Sequence, residues 1–158
     1  MKASGVPQNL SGTAVGFEPN DLESFLSLAG SGDLGVAVLE VERDVPPHPK
    51  FLRKVREACS SLGIVLVFDE CTSGFRKVLG GHFSLFGVEP DIAVFGKTLG
   101  NGYAINAVVG RQSVMASIEK SFVSSTFWTE RVGFVAGLAA LEEMARLNAS
   151  GEVDSIGL

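Results

Sequence analysis

Apolar and polar positions recur along the chain with two periods, and the switches between them predict alternating helices and strands. Asn20-Asp21-Leu22-Glu23 has the cap-and-glutamate spacing of a helix start, with Asn20 as the cap. Leu22, Phe25, Leu26 and Ala29 follow at helical spacing before Gly30 closes the segment. Gly35-Val36-Ala37-Val38-Leu39-Glu40-Val41 is a nearly continuous apolar run, the pattern of a strand in a sheet covered on both faces, with Glu40 toward its far end. A polar, proline-rich turn over 44–49 leads into Phe51, Leu52, Val55, Ala58, Cys59 and Leu62, which share one helical face. Arg53, Lys54, Arg56 and Glu57 fall on the other, so this segment is an amphipathic crossover helix.

The second half continues the alternation. A strand over Ile64-Val65-Leu66-Val67-Phe68-Asp69 precedes a glycine-rich loop through Gly74, Gly80, Gly81 and Gly87. Ile92-Ala93-Val94-Phe95 and Ile105-Asn106-Ala107-Val108-Val109 read as two further strands, and a final helix runs from about Glu130 to Arg146. The order is that of an α/β fold, and 158 residues suit one domain. There is no internal repeat and no low-complexity tract.

Composition narrows the function classes. Thirteen basic residues stand against 18 acidic ones, a net charge of −5, and the densest basic cluster is Arg53-Lys54 with Arg56. That argues against a nucleic-acid surface. No apolar stretch reaches the length of a membrane span, and Met1 to Asn9 contain no apolar signal core, so the expectation is a cytoplasmic protein with no membrane partner. Cys59 and Cys71, spaced unlike a metal or redox pair, read as reduced thiols, and no metal site is expected.

In α/β folds reactive groups collect at the carboxyl ends of strands, and Glu40, Asp69 and Lys97 all fall there. Taken singly, an aspartate after a strand is a turn former and a lysine among glycines is a solvated charge. Together, a strand-end amine and a strand-end carboxylate are what holds a pyridoxal phosphate ring: the amine forms an imine and the carboxylate keeps the ring nitrogen protonated. Gly96-Lys97-Thr98 also looks like the end of a phosphate-binding GxxxxGK[ST] loop. The position of its first glycine is Asp91, and Ile92 to Phe95 form a strand, so no loop is available to wrap a triphosphate.

Several segments, in order and spacing, resemble one family. They are Val38-Leu39-Glu40, Phe68-Asp69-Glu70-Cys71-Thr72-Ser73-Gly74-Phe75-Arg76, Gly87-Val88-Glu89-Pro90-Asp91, Gly96-Lys97-Thr98-Leu99-Gly100-Asn101-Gly102 and Ser125-Thr126. The chain is similar, from about Gly35 to Met144, to the class III pyridoxal-phosphate aminotransferases of fold type I, in the branch of glutamate-1-semialdehyde aminomutase. Ser124-Ser125-Thr126-Phe127-Trp128-Thr129-Glu130-Arg131 looks less like the aminomutases of that branch than like aminotransferases acting on sugar or polyketide-type substrates.

The resemblance implies a large-domain fold, a mixed and mostly parallel sheet flanked by helices. It assigns Lys97 to the imine link and to proton transfer, and Asp69 to the pyridinium nitrogen. Cys71 takes the place of a valine or isoleucine packed on the ring, and Thr126 matches a threonine that reaches the cofactor phosphate of a neighbouring subunit, so a homodimer with shared sites is implied. Glu40 matches a substrate-proximal glutamate, although Val41 replaces the proline that usually follows. His82, alone in a glycine loop, reads as a surface residue. Phe127 and Trp128 either line the substrate access or pack a subunit contact.

Family members are more than twice as long, so residues 1–158 are expected to form the central and later part of the large domain, without the preceding part or the small domain that follows it. The implied activity is transfer of an amino group from an amino acid, glutamate foremost, to a keto or aldehyde acceptor. The alternatives are glutamate-1-semialdehyde 2,1-aminomutase and a non-catalytic truncated remnant.

Overall fold

A computed structural model describes residues 5–156. The first four residues of the amino-terminal stretch read above, and Gly157 and Leu158 at the other end, lie outside the described residues.

The sheet is built from β1 (Val36–Glu40), β2 (Val65–Asp69), β3 (Ile92–Phe95) and β4 (Ala107–Gly110), adjacent in that order. β1, β2 and β3 run parallel; β4 is antiparallel to β3. Helix α1 (Leu22–Ala29) precedes β1, and α2 (Pro49–Leu62) is the crossover between β1 and β2. α3 (Gln112–Met115), α4 (Val132–Leu147) and α5 (Ala149–Ile156) follow the sheet. This mixed, mostly parallel sheet with flanking helices is the expected fold class.

Helix ends show why the chain turns where it does. α2 starts with Pro49 in its first turn, where no backbone donor is lost, and His48 Nδ1 accepts from the Lys50 N–H at 3.2 Å. It stops at Gly63, whose φ of +71° suits glycine and whose N–H closes on the Cys59 carbonyl. At α1 the cap is Asp21 rather than Asn20: its Oδ1 accepts from the Ser24 N–H at 2.9 Å. Asn20, at φ +65°, instead accepts from the His48 N–H at 2.8 Å and donates to the Pro46 carbonyl at 3.2 Å. It thereby ties the segment before α1 to the turn before α2, a long-range bond that local spacing does not encode.

The main core lies between α1, α2 and one sheet face, where Phe25, Leu52, Val55, Cys59, Leu66 and Phe68 are buried. A smaller cluster gathers Ala93, Phe95 and Leu99, with Phe75, Ile105 and Leu141 against it. Contrary to the expectation of a sheet covered on both faces, β1 alternates: Ala37 and Leu39 are buried, whereas Val36 and Val38 are 53% and 59% exposed. The strand at 105–109 starts instead at Ala107, because Ile105 turns into the smaller cluster. The last predicted helix begins at Val132 rather than near Glu130. It ends at Asn148, left-handed at φ +49°, beyond which α5 follows. Among the described residues no helix is long and apolar enough to cross a membrane.

Candidate active site

The parallel register sets the site. Glu40 on β1 is the register partner of Asp69 on β2, and Asp69 is the partner of Val94 on β3, so the carboxyl ends of three strands meet at one edge of the sheet. Asp69 is half-buried and its Oδ1 accepts from the Cys71 N–H at 3.0 Å, which fixes the carboxylate against the turn that follows β2. One residue on, Glu70 is fully buried. Its N–H donates to the Val94 carbonyl at 2.8 Å, while its carboxylate accepts from Ser73 Oγ at 2.5 Å and from the Phe83 N–H at 2.9 Å.

Lys97 opens the short 3₁₀ turn Lys97–Leu99 immediately after β3 and Gly96. Its φ is +42°, a left-handed conformation uncommon for a residue with a side chain. Nζ donates to Thr72 Oγ1 at 2.6 Å. The backbone at Gly96 passes close to two side chains: a Cβ there would press on the Asn106 side-chain oxygen and sit 3.3 Å from Cys71 Sγ.

Cys71 reports how closely these groups gather. Burial pushes its thiol up, and a hydrogen bond to Asp69, the Asp69 charge and, more weakly, Glu40 push the same way, against a downward pull from Lys97. The Asp69, Lys97 and Glu40 charges thus all act on the Cys71 thiol. Both cysteines are free thiols.

The remaining sequence candidates are placed differently. Glu40 is exposed and paired with Arg43 at 2.9 Å, so its carboxylate is already engaged by a cation three residues away. Thr126 is exposed on the segment leading to α4, and among the described residues no hydrogen bond joins it to Lys97 or Asp69. Phe127 and Trp128 are 50% and 62% exposed and border a cavity of about 440 Å³ that Asn106 and Phe134 also line. His82, expected at the surface, is instead 3% exposed: Nε2 lies 2.9 Å from Glu42 Oε2 and the ring packs tilted on Phe86. The glycine loop is drawn inward by that pairing and by the Glu70 bond to the neighbouring Phe83 N–H.

Sequence reasoning missed Thr72 and Glu70 as members of the site. The Thr72 bond to Lys97 spans 25 positions, so only the fold reveals it; an acid directly beside Asp69 is the one local signal that pointed to Glu70.

The chain belongs to the class-III aminotransferases, whose profile matches residues 43–157. Among curated relatives, the 3-aminobutyryl-CoA aminotransferase of Cloacimonas acidaminovorans (strain Evry) is 38% identical over 154 residues, covering 90% of this chain and 36% of the relative. The glutamate-1-semialdehyde 2,1-aminomutase of Desulfatibacillum aliphaticivorans is 33% identical, covering 89% and 35%. Among solved structures, the pyridoxal-phosphate internal aldimine form of the Sphingopyxis sp. MTA144 FumI protein superimposes with a TM-score of 0.82 at 25% identity, over 90% of this chain and 36% of that one. The chain thus spans about a third of the length of the relatives it matches.

Proposed function

We propose that this chain forms part of a pyridoxal-phosphate-dependent aminotransferase, with Lys97 and Asp69 as its catalytic pair. The observation that carries the reading is the placement of the Asp69 carboxylate and the Lys97 amine at the carboxyl ends of adjacent parallel strands, with Asp69 paired in register with Val94 and Lys97 opening the turn just after β3. The donor set fits the cofactor: an amine, a carboxylate held by a backbone donor, and a small thiol on the turn that follows the carboxylate, close to the Gly96 backbone.

Bound there, pyridoxal phosphate supplies an electron sink for the carbon that loses its proton. The protein's residues do the rest. Lys97 would hold the cofactor through Nζ, and the same atom would move the proton at the substrate α-carbon. Asp69 would hold the proton on the ring nitrogen through a charge-assisted hydrogen bond. Cys71 would offer its thiol to the ring as a small apolar group. Glu40 lies toward the substrate, and Thr126 reaches the cofactor phosphate of the second subunit of a homodimer with shared sites.

We read the reaction as amino transfer from an amino acid, glutamate foremost, to a keto or aldehyde acceptor. The free thiols of Cys59 and Cys71 support a cytoplasmic setting. The aminomutase relative favours a second reading, amine migration within glutamate 1-semialdehyde. One experiment separates them. The protein incubated with pyridoxal phosphate and reduced with borohydride is expected to carry the cofactor on the Lys97 peptide, and the unreduced protein to release a keto acid from glutamate in a half-reaction. Cofactor fixed on Lys77 or Lys120 defeats the site. Conversion of glutamate 1-semialdehyde alone, with no keto acid released from any donor, replaces the transferase reading with the aminomutase one.

A further inference from the structure

The amine of Lys97 is constrained from both ends of its side chain. At the backbone, φ of +42° sets the direction in which the side chain leaves the turn after β3. At the tip, Nζ donates to Thr72 Oγ1 at 2.6 Å. Between these points lies a flexible four-carbon stem, which in an exposed lysine samples many rotamers. Lys97 is exposed, so solvent competes for its amine, and the hydroxyl of half-buried Thr72 is the partner that selects one orientation.

Thr72 is in turn held. Its carbonyl accepts from Arg76 Nε at 2.6 Å. The next residue, Ser73, is bonded through Oγ to the fully buried Glu70. Gly74 donates to the Glu70 carbonyl at 2.8 Å and lies so near Phe95 that a Cβ would come within 2.7 Å of the ring. The turn carrying Thr72 is therefore packed on β3, the strand that precedes Lys97, and the core fixes where the hydroxyl sits.

We propose that Thr72 is a positioning residue for Lys97: its hydroxyl accepts a hydrogen bond from Nζ and holds the amine at the strand end, beside Asp69 and Cys71. The proposal rests on the reading of Lys97 as the cofactor-binding amine. Valine keeps the branched shape of threonine without the acceptor; serine keeps the acceptor without the methyl group.

The test is nuclear magnetic resonance of the lysine ammonium groups in ¹⁵N-lysine-labelled protein free of cofactor, with the Lys97 signal assigned from Lys97→Arg. Proton exchange at Lys97 is expected to be slower than at exposed Lys50 and Lys120. It should become roughly tenfold faster in Thr72→Val, the scale of losing one hydrogen bond to a charged group, and return to within about twofold of wild type in Thr72→Ser. The backbone amide spectrum shows whether each variant is folded; if the valine variant is not, Thr72→Ala against Thr72→Ser supplies the same contrast. Unchanged Lys97 exchange in a folded variant lacking the hydroxyl, with borohydride still trapping the cofactor on Lys97, overturns the proposal alone. Trapping at another lysine overturns both the reading of Lys97 and the role given to Thr72.

Discussion

Asp69 and Lys97 stand at neighbouring strand ends but are held by different means, and the difference predicts how each responds to substitution. The Asp69 carboxylate accepts a backbone N–H from Cys71, a bond that an asparagine carbonyl can also accept. Asp69→Asn should therefore keep the fold and cofactor binding. In the role proposed for Asp69 it removes the charge that would hold a proton on the ring nitrogen, and turnover should fall about a hundredfold or more, the scale of deleting one preorganised electrostatic group. Spectrophotometric titration with pyridoxal phosphate beside steady-state rates checks both halves; near-normal turnover would make the carboxylate merely structural. Both residues were legible in the sequence because each closes a β-branched apolar run. Thr72 and His82 were not: one acts through a lysine 25 positions away, and the other is buried against a glutamate 40 positions before it.

Between elements, the joint that matters most is Asp91, just ahead of β3. Its Oδ2 accepts from the Leu66 N–H on β2 and from Arg56 Nη1 on α2, both at 2.8 Å, and its Oδ1 lies 3.3 Å from Arg111 at the end of β4. Its backbone also pairs with Leu66 and Arg111. One 7%-exposed residue thus locks a helix to three strands. Burial alone would raise its pKa, but the Leu66 N–H and the Arg56 and Arg111 charges outweigh that and hold it below the usual aspartate value of 3.8. Because the folded value is the lower one, the stabilisation is fully present above the unfolded value and is lost as pH falls through the folded value. Asp91→Ala should cost about 3 kcal/mol near neutral pH, since it strands Arg56 and the Leu66 N–H in a nearly buried site. Urea denaturation should show that gap narrowing below about pH 4; a gap independent of pH would mean that the carboxylate contributes packing and not charge. In the sequence Asp91 served to exclude a phosphate loop and as part of one segment resembling the family, with no sign of this joint.

Taken whole, the molecule leaves large apolar side chains in water. Val36 and Val38 on β1 are more than half exposed, as are Phe134, Val135 and Leu138 on α4, and Trp128 before it. So many exposed large apolar side chains on β1 and α4 suit contact with other polypeptide, and this chain spans about a third of its relatives' length. The homodimer proposed from Thr126 makes a defined prediction. Neither Lys97→Ala nor Thr126→Ala protein should be active alone, but hybrids of the two should regain partial activity, because one of their two sites then carries both wild-type groups. Mixed dimers isolated by dual affinity tags provide the measurement; inactive hybrids would show that each subunit builds its site from its own residues.

Local chemistry accounts for the order of elements, the amphipathic crossover helix between β1 and β2, and the position of an amine and a carboxylate at strand ends. Periodicity and the geometry of a crossover act within a few residues or one helix length, so they can be read along the chain. The tertiary structure decided what depends on juxtaposition: Asn20 bridging to His48 while Asp21 caps α1, Ile105 leaving the last strand for the smaller core, and His82 buried against Glu42. It also decided that Thr72 receives the Lys97 amine. Each is a hydrogen bond or packing contact between segments far apart in sequence, available only once the sheet has brought them together, and no local pattern of residue types encodes such a pairing.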